Sequence, residues 1–234
     1  RFAKQHGISI IEDACQAFGS KWDNKFLGTY GTFGCFSMKN GKILATGEGG
    51  FIITDNDELA DRCRLLRNHC TNIQNPAKSF TEISWNYRIT EMQALVGISN
   101  LKEIENKLKI RKKQTQYLYE NLCKEHQLEV YKYYEKEESN YFSPVFIARG
   151  KKKGIQIAKQ LSANGIVNST GTFGLMPANK RKVFQNYCKG LAENDRMNTP
   201  NSEMLFEEVI ALSIMENTNF DELDAIIKNI RNML

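Results

Sequence analysis

The sequence predicts an α/β protein with a mainly parallel sheet, followed by a smaller α/β unit. Two observations predict this architecture. Apolar strand-like runs alternate with loops and a helical pattern in the first part of the chain. A long helical pattern then separates these runs from a second set of short strands and helices that begins near Leu128. We therefore expect a large domain at residues 1–108 and a small C-terminal domain at residues 109–234.

The first domain is predicted to contain strands at 8–11, 32–38 and 50–54. The segment GSKWDNKFLGTYG, rich in glycine and polar residues, is typical of a loop or hairpin between the first two strands. Residues 55–57 supply capping side chains for a helix over DELADRCRLLRNH. In a parallel sheet ligands bind where the strands end, so the polar residues at these ends are candidates for a site.

A loop is predicted at residues 71–85. After it, Thr90 and Gln93 form a capping-box pattern at the start of a helical region that extends to His126. This region exceeds the usual length of a globular helix, which indicates a bent helix or two helices in series.

The small domain shows short elements of both kinds. Strands are predicted over LEVYKYY, NYFSPVFIA, IVNST and residues 209–214, and helices over KKGIQIAKQLSANG, 201–208 and 220–234. The segment 171–198 is predicted to be a loop.

Composition favours an ordinary globular protein, with 41% hydrophobic and 25% charged residues. The net charge of +5 comes from scattered residues and short basic runs at 111–113 and 151–153. No aromatic residues are interleaved with these runs, so we expect no nucleic-acid partner. No apolar run reaches the length of about 18 residues that a transmembrane helix needs, so we expect no membrane segment.

The 6 cysteines form no CxxC pair and no cluster with His6, His69 or His126. We therefore expect no metal site. Several of these cysteines lie among apolar residues, which is typical of buried thiols in a reducing cytosol and predicts a cytoplasmic protein.

Polar residues that can carry chemistry follow two of the predicted strands. Asp13 ends the first strand, with Gln16 three positions later, and Ser37 lies near the end of the second, followed by Lys39 and Lys42. Each residue also has a structural interpretation. Asp13 and Ser37 can cap turns, Lys42 can be a solvated loop lysine, and the glycines of TGEGG can permit positive φ in a tight turn. Their joint occurrence at successive strand ends favours a site.

Read together, IIEDACQAFG at 10–19 and GTFGCFSMKNGKILATGEGG at 31–50 resemble motifs of the DegT/DnrJ/EryC1/StrS family of sugar aminotransferases. The resemblance continues through RLLRNH at 64–69 and NYRITEMQA at 86–94 to the final helix, so it covers essentially the whole chain. It implies the fold-type I scaffold of enzymes that depend on pyridoxal 5'-phosphate. The chain then contains part of the large cofactor-binding domain and the small C-terminal domain.

The resemblance also implies a role for each motif residue. Asp13 binds the pyridine nitrogen of the cofactor, and Gln16 lies against its ring. Ser37 donates a hydrogen bond to its phosphate. Lys42 forms the Schiff base and then moves the catalytic proton. Lys42 is chosen over Lys39 because it lies five residues after Ser37, as the family's Schiff-base lysine does.

Partners follow from the same resemblance. Asn86 reaches the cofactor phosphate of a second subunit and Arg88 faces the substrate there, so a homodimer with shared sites is expected. The implied substrates are a nucleotide-linked keto-sugar and an amino-acid donor, with glutamate the expected donor. Products of this kind enter surface polysaccharides or antibiotic sugars.

Three departures from the family pattern stand out. Lys39 occupies a position that is often histidine or aromatic, Cys70 replaces the glycine after RNH, and LSIM at 212–215 lacks the usual proline. In addition, RFAKQHG resembles the end of a helix closed by Gly7, which predicts that the chain is the C-terminal part of a longer protein.

Two alternatives remain open at this stage. One is a non-catalytic, truncated pseudoenzyme that acts by dimerising. The other is the sugar 3-dehydratase branch of the same family, which has histidine in place of the lysine, so that Lys42 argues against it. A nucleotide-binding module is disfavoured because neither GxGxxG nor GxxxxGK[ST] occurs.

Overall fold

The computed structural model describes residues 2–124, 127–150, 153–187 and 199–234. The chain divides into two units. The first comprises Arg1–Leu108 with Tyr133–Phe142, and the second comprises Lys109–Lys132 with Ser143–Leu234. The return of Tyr133–Phe142 to the first unit is a feature that sequence analysis did not include.

The described strands are β1 (Ile11–Asp13), β2 (Lys21–Trp22), β3 (Lys25–Phe26), β4 (Phe33–Ser37), β5 (Gly50–Ile53), β6 (Leu128–Val130), β7 (Glu137–Glu138), β8 (Val145–Ala148) and β9 (Val209–Ala211). The described α-helices are α1 (Phe2–Gln5), α2 (Asp57–Leu66), α3 (Glu91–Lys102), α4 (Ile104–Leu122), α5 (Lys153–Ala163), α6 (Ser169–Phe173), α7 (Lys182–Tyr187), α8 (Pro200–Glu208) and α9 (Phe220–Arg231). Short 3₁₀ turns cover Pro76–Lys78 and Ala178–Lys180. Among the described residues, no helix combines the length and the apolar character that crossing a membrane requires.

The main sheet of the first unit has the order β1-β4-β5. β1 and β4 run parallel, with Asp13 opposite Cys35, whereas β5 runs antiparallel to β4. The antiparallel pairing arises because the loop after β4 returns the chain directly, without the crossover helix that a parallel neighbour needs. Asp13 and Ser37 are the last residues of two parallel strands, so they lie at the same end of the sheet.

The segment between β1 and β4 contains a hairpin, as one of the two sequence interpretations predicted. Asp23 and Asn24 connect β2 and β3 with φ of 51° and 62°, the positive values that a tight hairpin turn requires. β7, which sequence analysis did not predict, pairs with the other edge of β2, and Lys21 lies opposite Glu138.

The helix predictions for this part of the chain are confirmed. Asn56 caps α2 by accepting a hydrogen bond from the backbone N–H of Leu59 at 3.0 Å. Thr90 and Gln93 form the predicted capping box of α3. The long helical pattern is two helices in series, with Glu103 as the C-cap of α3.

The second unit is built on the antiparallel sheet β6-β8-β9. Its core residues are apolar and at most 8% exposed, and they include Leu118, Phe146, Ile157, Ile210 and Leu223. Burial of such side chains stabilises each by about 1.5–3 kcal/mol.

The predicted IVNST strand is wrong except for one bridge between Asn168 and Leu212. Asn168 instead caps α6, because its side-chain oxygen accepts a hydrogen bond from Gly171 N at 2.7 Å. In the predicted loop at 171–198, the structure contains the end of α6, a 3₁₀ turn and α7, and residues 188–198 lie outside the described residues.

Cys70 shows why glycine suits its position. Its φ is 54° and that of His69 is 55°, so two successive side chains adopt the left-handed conformation that favours glycine. The Cys70 side chain is buried and its sulfur lies 3.6 Å from the Thr81 hydroxyl.

Candidate cofactor site

Asp13 presents its carboxylate at the carboxyl end of β1. The carboxylate accepts a hydrogen bond from the backbone N–H of Cys15 at 3.2 Å. Hydrogen bonds from the side chain and backbone of Cys15 lower the pKa of Asp13 below its usual value, and the positive charge of Lys42 adds to this effect.

Ser37 and Lys42 lie at the end of β4 and in the loop that follows it. The Ser37 hydroxyl oxygen accepts a hydrogen bond from Lys39 N at 3.2 Å, so the hydroxyl hydrogen can point to an anion. Lys42 is half-buried, and the next two residues, Ile43 and Leu44, are only 4% and 5% exposed. These buried neighbours fix the backbone that carries the Lys42 amine.

The glycines close this loop in two different ways. Gly47 and Gly49 have φ of 90° and 133°, which confirms the positive φ considered for the TGEGG turn. Gly50 is needed for space instead, because a β-carbon there would lie 2.6 Å from the carbonyl oxygen of Phe36.

Helix α3 holds the loop between β4 and β5, which contains Lys42 and is called the lysine loop below, from one side. Asn100 Nδ2 donates a hydrogen bond to the carbonyl of Ala45 at 2.8 Å, and Gln93 Nε2 donates one to the carbonyl of Glu48 at 2.9 Å. These contacts were not predicted, because the local pattern gives Gln93 a role only in the capping box and Asn100 none. The loop is therefore attached to a helix as well as to a sheet.

Glu12 is a second residue that sequence analysis left without a role. Its carboxylate accepts hydrogen bonds from the backbone N–H groups of Gly28, Tyr30 and Gly31 at 2.8, 2.5 and 2.6 Å. Bonds to a charged acceptor are stronger than neutral ones. Glu12 thus ties the end of the hairpin segment to the strand that carries Asp13.

Gln16 has an exposed side chain. Its backbone carbonyl accepts a hydrogen bond from Asn140, which lies in the segment Tyr133–Phe142, called the return segment below. The same segment brings the ring of Phe142 to the lysine loop, with the Lys42 Nζ atom 5.2 Å from the ring centroid. Neither Asn140 nor Phe142 could be assigned from local sequence pattern.

Asn86 and Arg88 form a separate group. The Asn86 side-chain oxygen accepts a hydrogen bond from Arg88 N at 3.1 Å, and the Arg88 guanidinium donates to the side-chain oxygen of Asn68. Both Asn86 and Arg88 are exposed. Their side-chain hydrogen bonds in the described part of the chain are with each other and Asn68. Asp13 and Ser37 end neighbouring strands and Lys42 lies in the loop after β4, whereas Asn86 and Arg88 lie in the segment before α3.

A comparison with models of protein families shows which family this chain belongs to. The model of the DegT/DnrJ/EryC1/StrS aminotransferase family matches residues 1–231. The chain belongs to this family. The resemblance in the motifs is thereby confirmed, and with it the fold class of the pyridoxal-phosphate-dependent transferases.

Relatives from the DegT/DnrJ/EryC1/StrS family include enzymes of two activities. The chain is 37% identical over 111 residues to a GDP-perosamine synthase of Caulobacter vibrioides, covering 47% of this chain and 30% of the relative. It is 31% identical over 180 residues to a GDP-4-keto-6-deoxy-D-mannose 3-dehydratase of Escherichia coli, covering 70% of this chain and 45% of the relative.

Solved structures show the same fold. A DegT DnrJ EryC1 StrS aminotransferase from Brucella abortus matches with a TM-score of 0.79 and 26% identity, over 99% of this chain and 58% of that chain. Helicobacter pylori PseC, an aminotransferase involved in pseudoaminic acid biosynthesis, matches with a TM-score of 0.83 and 21% identity, over 99% and 61%. The chain thus spans less than half of the two curated relatives and about three fifths of these solved chains.

Proposed function

We propose that the protein is a pyridoxal 5'-phosphate-dependent aminotransferase that transfers an amino group, with glutamate as donor, to a nucleotide-linked keto-sugar. The observation that carries the proposal is that Asp13 and Ser37 end the neighbouring parallel strands β1 and β4, with Lys42 in the loop that follows β4. Membership of the aminotransferase family supports it. The GDP-perosamine synthase and PseC support the sugar substrate class by similarity.

The side chains fit this cofactor by their chemistry. An ionised carboxylate at Asp13 can hold the protonated ring nitrogen, and the Ser37 hydroxyl can donate to the phosphate. The Lys42 amine can attach to the aldehyde. When bound, the cofactor supplies an electron sink for the carbanion of transamination. We assign Gln16 to the face or edge of the ring, where its exposed amide can reach a bound molecule.

Lys42 has the proton-transfer role. With the cofactor bound, the Lys42 Nζ atom would be the group that accepts the catalytic proton and donates it again. The family resemblance implies that histidine replaces this lysine in the sugar 3-dehydratase branch, so the amine at position 42 favours amino transfer over dehydration.

We further assign Asn86 and Arg88 to the site of a second copy of the chain, in a homodimer with shared sites. The exposure of both side chains and their mutual contacts near Asn68 support this assignment. The family resemblance supplies the roles, phosphate binding for Asn86 and substrate binding for Arg88.

The test compares two lysine variants of the intact protein. Lys42→Ala should lose the absorbance of the covalently bound cofactor and lower amino transfer from glutamate by a factor on the order of 10³ or more. Lys39→Ala, the matched control in the same loop, should retain the absorbance and most of the turnover. A Lys42→Ala protein that transaminates at the normal rate would overturn the proposal.

A further inference from the structure

The return segment Tyr133–Phe142 is fastened to the loop after β1 by one buried side chain. Asn140 is 3% exposed, and its Nδ2 atom donates hydrogen bonds to the carbonyl oxygens of Gln16 at 2.8 Å and Phe18 at 3.0 Å. Its backbone N–H donates to the Ser20 hydroxyl at 3.0 Å. These bonds tie the segment to the loop that carries Gln16.

The same asparagine sets the backbone of the next two residues. The Asn140 side-chain oxygen accepts a hydrogen bond from Phe142 N at 3.0 Å, which is the pattern of an Asx turn. Tyr141, between them, has φ of 53°, a left-handed conformation that a large aromatic residue rarely adopts. Its ring contacts Tyr133 with centroids 5.4 Å apart. Strain of this kind persists only where surrounding contacts hold it, and it is often found at functional sites.

The turn aims the ring of Phe142 at the lysine loop. The Lys42 Nζ atom lies 5.2 Å from the ring centroid, within the range of a cation–π contact. Phe142 and Lys42 are both half-buried. A lysine side chain has four rotatable bonds, so a contact at its end restricts the positions of the amine more than backbone anchoring alone does.

We propose that Phe142 is a positioning residue for Lys42, and that Asn140 holds the ring in place. The inference rests on the proposed role of Lys42. The return segment therefore contacts two loops. Through Asn140 it holds the loop after β1, which carries Gln16, and through Phe142 it contacts the Lys42 amine of the loop after β4. Reactions between bound groups depend steeply on such positioning.

The test measures how readily the Lys42 amine reacts with a small reagent. The intact protein, freed of cofactor with hydroxylamine, is treated briefly with acetic anhydride, and the acetylation of Lys42 relative to Lys39 is measured by peptide mass spectrometry. Phe142→Leu should raise this ratio about two- to fivefold, because the ring that covers the amine and restricts its positions is lost. Phe142→Tyr, which retains an aromatic face, should keep the original ratio. An unchanged ratio in Phe142→Leu would overturn the inference.

Lys39 is an internal control, because general loosening of the loop would raise the acetylation of both lysines. Asn140→Asp keeps the acceptor for Phe142 N but removes the donor to the two carbonyl groups, and it should raise the ratio in the same direction. If it fails to fold, the pair of Phe142 variants still decides. The labelling needs no turnover, so it separates a failure of this inference from a failure of the aminotransferase proposal.

Discussion

Glu12 should contribute measurably to the stability of the first unit. Its carboxylate accepts three backbone N–H bonds, two through Oε1 from Tyr30 and Gly31 and one through Oε2 from Gly28. In Glu12→Gln an NH₂ group replaces one oxygen, so one bond is lost and the others lose the charge of their acceptor. Bonds to a charged group contribute about 1.5–3 kcal/mol and neutral ones about 0.5–1.5 kcal/mol. Because Glu12 is only half-buried, water compensates part of the loss, and we expect a destabilisation of about 2 kcal/mol.

The assay is urea unfolding of the intact protein, followed by the midpoint and the m-value. At an m-value of about 2 kcal/mol/M, the midpoint should fall by about 1 M with the m-value unchanged. Glu135→Gln is the matched control, since Glu135 is exposed in the same unit, and it should change stability by less than about 0.5 kcal/mol. A Glu12→Gln protein as stable as this control would refute the role of Glu12 as the anchor of the hairpin segment.

Three other variants test electrostatics. Glu216→Ala should cost about 3–5 kcal/mol in urea unfolding, because it removes the carboxylate 2.6 Å from Arg111, which is 3% exposed. Asp61→Ala, in an exposed ion pair, should cost less than about 1 kcal/mol. Cys15→Ala should raise the pKa of Asp13, since the Cys15 side-chain hydrogen bond is the main cause of its lowering. A depressed folded-state pKa stabilises the fold above the unfolded-state pKa, and this contribution is lost as pH falls through the folded-state pKa. In the variant the contribution should be smaller and its loss complete at a higher pH; ¹³C NMR titration of the carboxylate measures the folded-state pKa.

Local sequence patterns were sufficient to predict the elements that are stabilised by contacts between residues close in the sequence. The capping box at Thr90 is confirmed, and the segment GSKWDNKFLGTYG, predicted as a loop or a hairpin, contains a hairpin; both depend on residues a few positions apart. β7 is different, because it exists only through pairing with β2, 117 positions from Lys21 to Glu138. The IVNST strand failed for a different reason, because the local capping signal of Asn168, whose side chain begins a helix there, was not considered.

For the candidate site, strand ends could be located from sequence, and the structure places Asp13 and Ser37 at them. The residues that support the site could not be predicted from sequence, because Asn100 and Asn140 act through tertiary contacts with distant carbonyl groups. Glu12 left a weak signal. A second acid at a strand end, followed by a glycine-rich segment, is a pattern in which backbone N–H groups can gather around a carboxylate.

The most direct test of the central proposal is borohydride reduction of the intact protein with pyridoxal phosphate, followed by peptide mass mapping. Reduction converts the covalent bond between the lysine and the cofactor into a stable adduct. The proposal predicts an adduct confined to the peptide that carries Lys42, with fragmentation placing it at Lys42 and not at Lys39. Scattered labelling of surface lysines, or an adduct at Lys39 alone, would contradict it.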